Sequence, residues 1–331
     1  MFEKKIKNKK AAGPDGIKPE IYKAFLESDK CLETLVRCLK NEMQEKEKPE
    51  EWSKSRTKMV EKKSKPTVKD LRPIALTNIS YKIFMMLVKN EIEDHIERNQ
   101  ENKENQAGFT SKSRLEDNLF ILQYIVEKTF KRKKPLIVIS IDFRKAFDSI
   151  KREKIVEVMT EYRIHPQIIE SITKIYSHDV TKIDLGEDMQ QDIEVTSGIR
   201  QGCTGSATVF KLITYKIMEK IEKEGDSFKD DDINIGTLFF ADDALVIAET
   251  IEGARKNIKL IIEEGRKYGL DINTEKSSIL AFNLEDIPEE IEGIKTVKEI
   301  RYLGITIENK RNMFSKQKKQ MCRESNAREE S

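Results

Sequence analysis

The chain has 331 residues, 36% of them charged and 37% hydrophobic, and a net charge of only +2 at pH 7. That length can bury one large domain or two ordinary ones, and the near-neutral balance excludes a chain-wide basic field for holding nucleic acid. Cys31, Cys38, Cys203 and Cys322 are scattered without zinc-ligand spacing, and no apolar run approaches the roughly 18 residues of a membrane span, so a soluble chain in a reducing, intracellular setting is expected.

Residues 1–10 are lysine-rich and predicted to fray, and A-A-G-P-D-G-I (11–17) is turn chemistry leading into a helix. Helical spacing follows at Leu32, Leu35, Val36, Leu39 and Met43, at Ile79, Ile83, Leu87, Val88, Ile92 and Ile96, and at Leu115, Leu119, Leu122 and Val126. P-L-I-V-I-S-I-D (135–142) reads as a buried strand ending in Asp142, and Ile155, Val158, Met159 and Tyr162 mark the next helix. Ser206–Glu224 is a further helix, Leu238–Phe240 and Ala244–Ala248 are hairpin arms, and a helix through Ile258 and Ile262 stops at Gly269. Strands over 271–282 and 301–307 complete the core, and the chain beyond turns polar. Strands and helices mix without strict βαβ alternation, which predicts an α+β fold with a largely antiparallel sheet. Basic runs at Lys54–Lys65, Lys128–Lys134 and Lys310–Lys319 read as solvated faces or as a phosphate-tracking groove.

Asp242 and Asp243 are adjacent, between two apolar runs. Like charges about 4 Å apart repel by roughly 4 kcal/mol at an effective dielectric near 20. Either water at a hairpin tip screens them, or a divalent cation offsets the cost. If their strands adjoin that of Asp142, three carboxylates converge on one sheet edge. Hard oxygens suit Mg²⁺, and two such ions about 4 Å apart can clamp an in-line phosphoryl displacement. The plainer alternative is that Asp142 caps the next element. Phe147, five residues on, packs in a core by default. S-G-I-R-Q-G-C-T-G-S (197–206) lets backbone approach a phosphate, or is an ordinary glycine loop. Arg72 in L-R-P-I-A-L-T-N (71–78) grips a triphosphate or pairs with a carboxylate.

The order of these segments says more than any one of them. With A-A-G-P-D-G-I, Lys82, N-Q-A-G-F (105–109), I-D-F-R-K-A-F-D, G-I-R-Q-G-C, F-A-D-D, G-L-D-I-N-T-E-K and Y-L-G-I-T-I, the sequence resembles the reverse transcriptases of non-LTR (LINE-type) retrotransposons across roughly residues 11–307. The resemblance implies a right-hand polymerase of one domain over 1–331. Approximately 11–134 would be mostly fingers, 135–285 palm with an interleaved fingers segment, and 286–307 a primer-supporting strand-turn-strand. The tail 308–331 would be a truncated thumb. It implies RNA-directed DNA synthesis on a primer 3′-hydroxyl, with an RNA template, a DNA primer, dNTPs and two Mg²⁺ ions. Asp142 and Asp242 would be the principal metal ligands, Asp243 the third carboxylate, and Lys276 the proton donor to pyrophosphate. Phe147 would be the steric gate against a 2′-hydroxyl. Arg200, Gln201 and Gly202 would meet the nucleotide, Arg72 and Lys62 or Lys63 the triphosphate, and Tyr302, Leu303 and Gly304 the primer.

Some features depart from the family pattern. The family pattern places a nicking endonuclease before the polymerase, whereas this sequence starts at the first polymerase motif, and 24 polar residues stand where thumb helices are expected. R-T-K-M-V-E-K-K (56–63) is more charged than the apolar strand expected there, and Thr110 replaces a frequent arginine. A fragment or decayed element that only binds RNA is the competing expectation. A group II intron-type reverse transcriptase ranks lower, since no maturase-like region follows. An RNA polymerase ranks lower still, because its loop usually reads G-D-D.

Overall fold

A computed structural model describes residues 6, 8–44, 49–61, 71–99, 105–110, 113–184 and 190–315. In chain order the elements are α1 (Pro19–Glu27), α2 (Asp29–Gln44), α3 (Glu50–Ser53), β1 (Lys54–Glu61), β2 (Leu71–Leu76), α4 (Ile79–Arg98), α5 (Leu115–Arg132), β3 (Leu136–Ile141), α6 (Ala146–Ser149), α7 (Arg152–Glu161), α8 (Pro166–Ser177), β4 (Val180–Asp184) and β5 (Gln190–Glu194). Then come α9 (Thr204–Glu224), β6 (Phe228–Asp230), β7 (Ile233–Ile235), β8 (Thr237–Phe240), β9 (Asp243–Ala248), α10 (Ile251–Tyr268), β10 (Ser278–Phe282), β11 (Glu290–Ile291), β12 (Ile294–Thr296), β13 (Glu299–Tyr302) and β14 (Ile305–Glu308). None of these helices is long and apolar enough to cross a membrane.

The chain folds as two units, 1–102 with 147–210 and 103–146 with 211–331. The first holds a four-stranded sheet in the order β2-β1-β4-β5, antiparallel except where β1 runs parallel to β4. β1 shows how a charged stretch can still be a strand. Arg56 and Lys58 face solvent, while the hydroxyls of Ser55 and Thr57 are buried against that of Thr181, at 3.0 and 2.7 Å. Pairing satisfies the buried hydroxyls, so the inward face needs no apolar side chain. α4 is buried along Tyr81, Phe84, Val88, Ile92 and Ile96, and Trp52 packs on Phe84 with ring centroids 4.7 Å apart.

The second unit is built on a six-stranded sheet in the order β11-β12-β10-β3-β9-β8, antiparallel except for the β10–β12 pair. β3 reads as a continuous apolar run because both faces are covered. Leu136 and Val138 join Leu245, Ile247, Leu280 and Phe282 in one core with Leu122 and Val126 of α5 and with Ile300, Tyr302 and Ile307. Burying four such aliphatic side chains contributes on the order of 8 kcal/mol before conformational entropy is counted. α10 starts on a cap, where the Thr250 hydroxyl accepts from Gly253 N–H at 2.9 Å, and stops at Gly269, with φ at 92°.

The expected strand over 271–282 begins only at Ser278. The residues before it turn, with the Lys276 and Ser277 amides both donating to Asn273 O. The Lys128–Lys134 run is not one solvated face, because Lys128 and Arg132 turn onto the buried carboxylate of Asp230. Lys62, Lys63 and the tail beyond Ser315 lie outside the described residues.

Candidate active site

β3 and β9 pair antiparallel, from Ile137 opposite Ala248 to Ile141 opposite Ala244. Asp142 follows Ile141 and Asp243 precedes Ala244, so the two acids stand opposite each other one step beyond the last pair. β8 and β9 join through Ala241 and Asp242, with Phe240 opposite Asp243. Ala241 has φ at 59° and Asp242 does not share that left-handed conformation, the pattern of a type II′ hairpin turn. A side chain at such a φ costs roughly 1–2 kcal/mol. Asp242 and Asp243 are exposed and Asp142 is half-buried. All three acids therefore stand at one end of neighbouring strands, although a hundred positions separate Asp142 from Asp242.

The turn before β10 holds Asp142 from the other side. Asn273 N–H donates to Asp142 O at 2.8 Å, and the Asp142 amide donates to the Ser277 hydroxyl at 3.1 Å. Lys276 lies exposed in that same turn. Leu303 and Gly304 form the tip of the β13–β14 hairpin, both with positive φ, and Tyr302 below them is buried. Asn118 Nδ2 donates to the Tyr302 hydroxyl at 3.0 Å and to Phe239 O at 2.9 Å. Burial raises the Tyr302 hydroxyl well above the usual tyrosine range. The Asn118 bond opposes this and the negative charge of Asp243 adds to it.

In the other unit, Phe147 sits on the short α6 and stacks on Phe210, with centroids 4.7 Å apart and planes 13° from parallel. The glycine loop closes over this turn. Ile199 N–H donates to Phe147 O, and Gly198 N–H to Ile150 O, both at 2.8 Å. A Cβ at Gly198 would stand 2.7 Å from Asp148 backbone atoms, and φ there is 80°, so only glycine fits. Gln201 accepts from Ala75 N–H of β2 at 3.2 Å through its backbone carbonyl, and Gly202 is exposed beside it with φ at 96°. Arg72 lies on the same strand, three residues before Ala75.

Arg200 requires a correction. It was expected at the substrate, but it is 6% exposed, and its guanidinium donates to Asp179, to Trp52 O at 2.7 Å and to Ser53 O at 2.8 Å, over the Tyr81 ring. Arg152 donates to the other Asp179 oxygen and to Gly198 O at 3.0 Å. Two arginines on one buried carboxylate thus brace the glycine loop, and the Arg200 guanidinium is engaged by protein groups. Asp179 was not foreseen; a lone acid between a helix and a strand carries no signal of this role.

Residues 60–307 match the reverse transcriptase (RNA-dependent DNA polymerase) family. The chain belongs to this family. It is 24% identical over 82% of its length to the Retrovirus-related Pol polyprotein from type-1 retrotransposable element R2 of Nasonia vitripennis, and 22% identical over 72% to the Transposon TX1 149 kDa protein of Xenopus laevis. It spans only 26% and 18% of those relatives. Among solved structures it is similar to apo telomerase from Candida tropicalis, with a TM-score of 0.57 and 13% identity over 78% of this chain and 47% of that one. That likeness is one of fold, the α+β right-hand polymerase.

Reverse transcriptases generally use divalent metal ions. Among the described residues no three acidic, histidine or cysteine side chains already form a metal cluster, so the expected joint grip by Asp142, Asp242 and Asp243 is not preformed. The donors still suit such an ion. They are hard carboxylate oxygens at an open sheet end, and Mg²⁺ commonly takes one or two carboxylates and completes its octahedron with waters and substrate phosphates.

Proposed function

We propose that this chain is the polymerase part of a retrotransposon protein, an RNA-directed DNA polymerase that adds deoxynucleotides to a primer 3′-hydroxyl on an RNA template. The observation that carries this reading is the opposition of Asp142 and Asp243 at the ends of β3 and β9, with Asp242 in the adjoining turn. Two bound Mg²⁺ ions would supply charge neutralisation for the attacking hydroxyl and for the departing pyrophosphate. Asp142 and Asp242 would hold them, with Asp243 as the third carboxylate. Lys276 carries a proton donor on the turn bonded to Asp142, where pyrophosphate would leave. Phe147 acts as the sugar gate, Gln201 and Gly202 offer backbone to the nucleotide, and Arg72 and Lys63 neutralise its phosphates. Tyr302 anchors the tip at Leu303 and Gly304 that supports the primer.

The domain reading keeps 135–285 as palm with an interleaved fingers segment and the preceding residues mostly as fingers. One refinement comes from the core: α5 packs with the β3 sheet, so it is grouped with the palm. The test is extension of an oligo-dT primer on oligo-rA with dTTP and Mg²⁺. Extension that Asp242→Asn abolishes is expected. Extension that survives this change, or none from the unaltered protein, overturns the reading.

A further inference from the structure

N-Q-A-G-F (105–109) is one of the ordered motifs, and its Gln106 meets the turn that carries Asp242. Gln106 is fully buried, and its side-chain amide grips one residue from two sides. Its Oε1 accepts from Ala241 N–H at 3.2 Å and from Gly108 N–H at 2.9 Å. Its Nε2 donates to the Thr214 hydroxyl at 2.9 Å and to Ala241 O at 3.4 Å. Exchanging the two amide atoms would set the NH₂ against two N–H donors, so the network itself fixes this orientation.

The gripped residue is the left-handed turn position immediately before Asp242. The surrounding backbone reinforces the grip. Phe239 N–H donates to Asn105 O at 2.7 Å, and Ala107 N–H to Phe239 O at 2.9 Å, so residues 105–107 line the outer edge of β8. A Cβ on Gly108 would stand 2.0 Å from Ala241 N, so this approach admits only glycine. The two-residue spacing of Gln106 and Gly108 thus matches one task, in which the glycine permits contact and the glutamine supplies the bonds.

We infer that Gln106 is a positioning residue for the polymerase reaction, holding the strained Ala241 turn so that Asp242 is presented to the metal in one conformation. This rests on the polymerase reading for its purpose, but the clamp itself can be tested without catalysis. Gln106→Met keeps the volume and removes all four bonds. In the metal-free protein, amide exchange over residues 239–245 is expected to quicken while that of β13–β14 stays unchanged. Mn²⁺ binding, titrated by electron paramagnetic resonance, should weaken about tenfold, the order seen when residues that orient metal ligands are lost. The turnover of dTTP should fall about tenfold or more while its KM stays within about twofold. Loss of folded protein alone would lower turnover without moving the Mn²⁺ affinity.

Thr214→Val removes one clamp partner from a site of nearly equal volume, and should shift Mn²⁺ affinity in the same direction by less. It decides the matter if Gln106→Met does not fold. Unchanged exchange and unchanged Mn²⁺ affinity in a folded variant overturn the inference. If the unaltered protein does not extend primers, the polymerase reading fails, while exchange and Mn²⁺ binding still decide the clamp.

Discussion

Phe147 lies flat against Phe210, ring on ring, and its own backbone carbonyl accepts from Ile199 N–H of the glycine loop. A ring stacked on one face, on a turn whose backbone is itself hydrogen-bonded, yields poorly to an extra hydroxyl. That rigidity is what a gate against ribonucleotides requires.

Replacing Phe147 with valine should therefore lower the preference for dTTP over UTP by about tenfold or more, since a steric pocket discriminates by roughly 1–3 kcal/mol. Ratios of kcat/KM for the two nucleotides measure it. The lost stacking should also cost about 1 kcal/mol of stability. Unchanged discrimination would show that the ring serves packing alone.

Asp179 faces two arginines from a position whose side chain is 1% exposed. Asp179→Ala leaves both guanidiniums buried without their counter-charge, and the expected loss is about 3–5 kcal/mol of stability. Urea unfolding would report it. Replacing Arg200 alone should cost less than removing Asp179, because Arg152 still pairs the acid.

Tyr176 is buried with its hydroxyl 3.0 Å from that of Ser206, and burial, aided by the neighbouring Cys203, pushes it up to about 12 from an ordinary 10. The folded state then keeps a proton that the unfolded chain gives up. The stability this represents is complete below pH 10 and is lost as pH rises toward 12. Circular dichroism across that window should show alkaline unfolding, and Tyr176→Phe should shallow its slope.

Chelation should stop primer extension without unfolding the protein, because the sheet carrying the acids has its own apolar core. Adding Mg²⁺ back at about ten times its Kd should stabilise by about 1.4 kcal/mol. Asp242→Asn should lose most of that shift, and thermal melts with and without Mg²⁺ compare the two proteins directly. Equal shifts in both would remove Asp242 from the ion site.

Long periodic elements were readable in the residues themselves. α4, α5, α9 and the β8–β9 hairpin fall where apolar spacing put them, because each buries one stripe or face against a core. β1 was obscured, since its inward face is Ser55 and Thr57, and hydroxyls that pair across strands leave no hydrophobic signature. The seven residues before β10 lie outside the strand expected over 271–282, because Asn273 gathers the backbone into a turn. At the candidate site the acids were visible as charge in apolar surroundings. The braces were not: Gln106, Asn118 and Asp179 act through partners more than twenty positions away, and no local pattern encodes a partner at that distance.

The ribosome meets a scheduling problem in this chain. Each unit is assembled from two separate stretches, and β1 waits for β4, so Lys54 emerges well before Val180 exists to pair with it. Until then the nascent polypeptide carries an open strand edge, which invites association with other chains. Slower elongation or a chaperone during that interval should raise the yield of folded protein, and expression of residues 1–146 alone should give inclusion bodies.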